Sequence, residues 1–145
     1  MTTEKENTTI FQSPLLAKKE INGISFKLYS NRIFYAHISD YEKIEKKIIE
    51  AGYQFLDENG GGKFYNIYHF DAFTDVDKET REWAADPAGN KYTHSDAIVI
   101  QNLGQKIIAD FYLKINRPPR PTKIFYSLAK AMAWTESQMK KSQPD

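Results

Sequence analysis

A chain of 145 residues with 41% hydrophobic and 27% charged side chains has the length and balance of one packed domain rather than of a disordered segment. Its net charge of +1 creates no field that would gather nucleic acid or an anionic membrane, and neither is expected as a partner. Cysteine is absent, which excludes disulfides, thiolate nucleophiles and cysteine-ligated zinc.

Residues 1–17 read as a flexible N-terminal arm whose Phe11, Leu15 and Leu16 are free to dock on the body. The opening Met1–Thr9 is polar, without the apolar centre of a signal peptide, and no stretch approaches the roughly 20 apolar residues of a membrane span. A cytoplasmic location follows as the expectation. The domain proper is expected over 18–139, with a polar tail over 140–145.

Between Ile21 and Leu28 the apolar Ile24, Phe26 and Leu28 alternate with Ser25 and Lys27, the two-residue period of a strand with one wet face. Ser30-Asn31 turns the chain into a returning strand over Ile33–Ile38, giving a β-hairpin. Asp40 is then expected to cap a helix whose inward residues are Tyr41, Ile44, Ile48 and Ala51, and Gly52 to end it. A loop over 57–62 leads to Phe64–Phe70, where large side chains at both parities indicate a strand covered on both faces. A short helix over 77–85 is closed by Pro87-Ala88-Gly89-Asn90. The all-apolar Ala97-Ile98-Val99-Ile100 reads as a buried parallel strand. Helix 103–116 follows, with Leu103, Ile107, Ile108, Phe111 and Ile115 facing inward, and Pro118 to Pro121 forbid its continuation. A strand at 123–126 and a helix capped by Ser127, burying Leu128, Ala131, Met132 and Thr135, complete the chain. The order ββαβαβαβα predicts a single-domain α/β fold: a mixed, mainly parallel sheet with right-handed crossovers and about four helices.

This order resembles the SpoIIAA-like and STAS domains. The local sequence is similar to small bacterial STAS/SEC14-like proteins over about residues 20–138: Ala97–Ile100, then Gln105–Leu113, Asn116-Arg117-Pro118-Pro119, Pro121-Thr122-Lys123-Ile124-Phe125, and Ala131-Met132-Ala133-Trp134, with Thr80-Arg81-Glu82 on the short helix. The resemblance implies a regulatory or ligand-binding domain without catalysis. In the antagonists of anti-sigma factors a phosphorylatable Ser opens the helix after the third strand. Here that stretch, Asp71 to Thr80, has no Ser and no Gly; its hydroxyls, Thr74 and Thr80, sit among acids that repel phosphate, so no phosphosite is carried over.

Among chemistry-bearing residues, His69 and Asp71 share a strand face and could act as a general base with its orienter, with His37 on a strand that could neighbour theirs. Without an accompanying nucleophile or oxyanion loop, a structural role is expected and no catalytic residue is assigned. The three imidazoles are His37, His69 and His94. Asp71, Asp75 and Asp77 could gather a divalent cation, but helix capping accounts for carboxylates at that position, and no metal or cofactor is expected. Asn59-Gly60-Gly61-Gly62-Lys63 precedes a strand, unlike a P-loop, and is read as a connector. Arg81 near the carboxyl end of the third strand, with Tyr65, Tyr68, Phe70, Phe73 and Trp83, forms the candidate ligand-binding set, suited to an amphipathic anion such as a lipid or acyl group.

Two functions follow as expectations. One is a regulatory protein-interaction module, able to pair as a homodimer, with an exposed apolar patch. The other is a carrier or sensor of a small amphipathic ligand, with a closed apolar pocket of a few hundred Å³.

Overall fold

In the computed structural model, which describes residues 13–142, the chain runs β1 (Leu15–Ile21), β2 (Ile24–Tyr29), β3 (Ile33–Ile38), β4 (Lys43–Ile44), α1 (Lys46–Glu58), β5 (Phe64–Phe70), β6 (Asp75–Val76), α2 (Lys78–Ala84), β7 (Thr93–Val99), α3 (Leu103–Phe111), β8 (Thr122–Phe125) and α4 (Leu128–Ser142). Six strands form one sheet in the order β1-β2-β3-β5-β7-β8. The β1-β2-β3 part is antiparallel, and β3, β5, β7 and β8 run parallel. The expected mixed, mainly parallel sheet is what the chain forms, and Ala97 to Val99 lie in a strand flanked on both sides, between β5 and β8. A two-stranded parallel ladder, β4 with β6, sits apart from the main sheet.

Alternation sorts the side chains onto two cores. On one face Phe26, Phe34, Phe55 and Phe64 pack with Leu28, Ile38, Ile48 and Leu56 beneath α1. Phe26, Phe34 and Phe55 lie within 5.9 Å of one another ring to ring, contacts each worth about 0.5–1.5 kcal/mol beyond their buried area. On the other face Ile33, Tyr65, Ile67, Ala97 and Val99 pack against Ala131 and Met132 of α4, with Trp134 leaning on Phe125. The Ser127 hydroxyl accepts from the Lys130 amide, as the cap requires, and Ala131, Met132 and Thr135 are buried.

Four expectations are corrected. First, residues 1–12 of the expected arm, Phe11 among them, and 143–145 of the tail lie outside the described residues, but Leu15–Ala17 belong to β1 and pair with β2. The N-terminal hairpin is therefore a three-stranded meander, because Asn22 and Gly23, both at positive φ, turn the chain where one strand was expected to start. Second, α1 begins at Lys46 and not after Asp40. Lys43 and Ile44 are drawn into a ladder with β6, and Glu45 stands at the cap position without a side-chain capping bond. Third, Gly52 does not end α1 but lies buried inside it, where a Cβ would touch the Phe34 and Phe26 rings at 3.6–3.7 Å. The helix stops six residues later, near the run of Gly60, Gly61 and Gly62, all at positive φ. Fourth, α3 is rotated from its expected setting. Of the residues expected inward only Ile108 turns in, half-buried; Leu103, Ile107, Phe111 and Ile115 face out, and Gln105 and Ala109 take the buried places. After Phe111 the winding widens to a π-helical turn over Tyr112–Asn116.

Candidate functional site

Between the sheet and α1, α2 and α3 lies a cavity of about 100 Å³ with mostly apolar walls. Strands β5 and β7 supply its floor through Tyr68, Phe70 and Ile98. The roof is Ile108 and Ala109 of α3 together with Tyr112, and Phe73 closes one end. Thr80 and Arg81 come from α2. The volume is below the few hundred Å³ expected for a lipid-sized pocket. A dry apolar void of roughly 150 Å³ holds a benzene ring, so this one suits a group of a few heavy atoms.

Two charged residues, Arg81 and Asp96, belong to this wall. Asp96 lines the cavity and meets Arg120 at 3.1 Å, with the two side chains only 9% and 3% exposed. Arg120 also donates to the Asn90 side chain at 2.9 Å and to the Ala84 carbonyl, and Asn66 donates to Asp96 at 3.2 Å. Burial pushes the Asp96 carboxyl above the usual carboxylate range, against the pull of Arg120. Burial likewise raises the hydroxyls around the pair: Tyr53 to about 12, and Tyr68 and Tyr112 upward as well, with the Asp96 charge adding to each. These phenols stay protonated and act as fixed hydrogen-bond groups at any physiological pH.

Of the six residues expected to bind ligand, Arg81, Tyr68, Phe70 and Phe73 do line the cavity. Tyr65 and Trp83 do not. Tyr65 belongs to the opposite core under α4 and stacks on His94 at 4.6 Å, because odd positions of β5 point to that face. Trp83 sits on the outward side of α2, against Tyr53 at 5.4 Å and beneath Lys46. Arg81 bonds the Val76 carbonyl at 2.8 Å and the Asn116 side chain at 3.3 Å, and lies 4.9 Å over the Phe111 ring, so it ties α2 to the end of α3. Thr80 is buried with the cavity at its side, and Thr74 is exposed. The sequence reading missed Tyr53, Asp96 and Tyr112. An Asp followed directly by a fully apolar tetrapeptide was the available signal for the second of these.

Near the carboxyl ends of β3 and β5 a polar group assembles on the other face. His37 and His69 are opposed across the parallel ladder, their rings stacked 4.5 Å apart. The carboxylate of Asp71 is 2.9 Å from His37 Nε2, and Tyr35 Oη is 2.7 Å from His69 Nδ1. The Asp71 partner is thus His37, not the His69 of the expected pair, since the two imidazoles occupy matching positions on adjacent strands. Burial and the neighbouring His37 hold the His69 imidazole below its ordinary range. Asp75 and Asp77 do not join Asp71 in any converging set among the described residues. Asp77 instead caps α2 by accepting from the Thr80 amide at 2.9 Å, and the Thr80 hydroxyl together with that amide keeps its carboxyl low.

Outside the roof, α3 presents Leu103, Ile107 and Phe111 in a row that Ile115 extends, each exposed by 47 to 68%, and Tyr126 is also exposed. Gln105 takes the inward place that an apolar residue was expected to hold. Its carboxamide accepts from the Gln101 amide at 2.6 Å and donates to the Phe73 carbonyl at 3.3 Å, serving backbone groups that would otherwise be stranded.

The mixed six-stranded sheet with helices on both faces and a three-stranded antiparallel start is a SpoIIAA-like fold. A crystal structure of an uncharacterised protein of the DUF3478 family from Shewanella loihica, described as having a SpoIIAA-like fold, matches with a TM-score of 0.52 and 16% sequence identity, over 83% of this chain and 99% of that one. The chain belongs to the family described as Domain of unknown function (DUF7793), whose model matches residues 27–139. No curated protein matches it. Among the described residues no helix is long and apolar enough to cross a membrane.

Proposed function

We propose that this domain is a non-catalytic interaction module whose working surface is the outer face of α3, and that a second copy of the chain occupies it. The observation that carries this reading is the row of Leu103, Ile107, Phe111 and Ile115, four large apolar side chains turned to solvent. Contiguous apolar surface of a few hundred Å² on a small domain marks an interface more often than chance. Residues four apart form the ridge by which two helices interlock. Such a row is self-complementary about a two-fold axis, as an isologous dimer requires. The charges beside it are balanced locally, Lys106 pairing with Asp110, and a net charge of +1 gives two copies little to repel. Light scattering and sedimentation of the full chain test it. The wild type is expected to be dimeric, and Leu103→Glu/Ile107→Glu monomeric with an unchanged circular dichroism spectrum and, compared at a dilution where the wild type is also monomeric, stability within about 0.5 kcal/mol. A monomeric wild type, or a variant that still dimerises, rejects self-pairing through this face.

The cavity supports a second reading, the binding of a short amphipathic ligand. Its apolar group would fill the space between Tyr68, Phe70 and Ile108, with Arg81 at the wall to meet an anionic end. Native mass spectrometry of freshly purified protein would find such a ligand retained. Bare apoprotein, unchanged by added short-chain carboxylates, counts against this reading.

A further inference from the structure

The polar group on the opposite face has a geometry that hydrogen bonding alone does not require. Two imidazoles and a carboxylate offer one donor atom each within 4.8 Å of one another. All three are half-buried, so the group is neither sealed in the core nor loose on the surface. Their positions are set by the sheet: His37 and His69 are register partners, and the Asp71 amide continues the same ladder by donating to the Ile38 carbonyl at 3.0 Å. Donors fixed on adjacent strands are held more exactingly than donors on loops.

We propose that His37, His69 and Asp71 form a binding site for one divalent transition-metal ion of the zinc type. Two imidazoles with one carboxylate suit zinc and its first-row neighbours, whereas calcium and magnesium call for oxygen donors throughout. The outer shell is present as well. Tyr35 Oη engages His69 Nδ1, which fixes the ring and leaves Nε2 as the donor, the support that metal-bound histidines generally have. Gln101 Nε2 lies 3.3 Å from that His69 Nε2 while donating to the Phe70 carbonyl at 3.1 Å, so its carboxamide stands beside the group. Ligand atoms about 2.0–2.1 Å from a tetrahedral ion stand roughly 3.3 Å apart. The His37 to Asp71 contact of 2.9 Å must therefore open by a few tenths of an ångström, and the remaining separations must close from at most 4.8 Å. The two stacked rings, 16° from parallel, must also turn about their side-chain torsions so that their nitrogens converge on one ion. Three protein ligands leave a coordination position for water or for a group from a partner.

The test uses tag-free full chain, titrated with zinc chloride by calorimetry and with cobalt(II) by visible absorption. One ion per chain is expected, with cobalt bands of the intensity of a four-coordinate site. His37→Ala, His69→Ala and Asp71→Asn are each expected to weaken binding at least tenfold, and Tyr35→Phe by roughly tenfold, the usual range for an outer-shell loss. His94→Ala should bind as the wild type does. Thermal melts of the metal-free variants establish that each is folded. The proposal is overturned by a wild type that takes up neither ion, or by affinity that survives the joint loss of His37 and His69.

Discussion

At the scale of single residues the buried Asp96–Arg120 pair dominates the cavity's electrostatics. Neither side chain reaches water to any extent, and each leaves the other uncompensated if removed alone. Deleting one partner of a buried pair costs about 3–5 kcal/mol, whereas replacing both by apolar groups of similar volume is close to neutral. Urea unfolding should therefore show Arg120→Met or Asp96→Leu to be destabilised by that amount, and the double variant to recover most of it. Full destabilisation in the double variant would mean that the Asn90, Asn66 and Ala84 partners carry the energy instead. Little of this was legible in advance. Arg120 stands in Pro118-Pro119-Arg120-Pro121, which reads as an extended connector, and nothing local to that segment reveals that the guanidinium returns 24 residues to a strand. Arg81, Tyr68 and Phe70 were legible from their place at the carboxyl end of a parallel strand, whereas Tyr65 was grouped with them although strand parity puts it on the opposite face.

At the scale of elements, the errors share one cause: tertiary packing overrode local signals. Gly52 carries the mark of a helix terminator, yet it lies within α1, buried and facing the Phe26 and Phe34 rings. Its φ is helical and the space beside it gives a methyl group ordinary contact, so Gly52→Ala is expected to stabilise the domain by about 0.5–1 kcal/mol through helix propensity. Chemical denaturation measures this directly, and a loss of stability would show that the two rings cannot accept the methyl. For α3 the ambiguity is intrinsic. The helix has apolar residues on two sides: Leu103, Ile107 and Phe111 on one, Ile108, Ala109 and Tyr112 on the other. A stripe choice based on periodicity takes the bulkier side. The decision falls the other way because Gln105 satisfies the carbonyl of Phe73 only when turned inward.

For the whole molecule, sheet order ranks stability. Strands β5 and β7 are flanked on both edges and covered on both faces, whereas β1 is an edge strand with most of its side chains exposed. Hydrogen exchange is expected to be slowest for the amides of β5 and β7 and fastest, within the main sheet, for β1, with local opening of β1 preceding global unfolding. Uniform protection across the six strands would contradict that ranking. The architecture was the most legible part of the chain, since alternating strand and helix patterns admit few topologies once crossovers are right-handed.

The α3 helix is one helix thick between the cavity and the outside. Ile108 and Ala109 touch the void while their neighbours Ile107 and Phe111 look outward, and Arg81 pins the same stretch to α2. A molecule lodged within would press on the back of the very surface that a second chain meets. Thermodynamic reciprocity then makes any change that dimer formation imposes on the guest's affinity reappear, by the same factor, in the guest's effect on dimer formation.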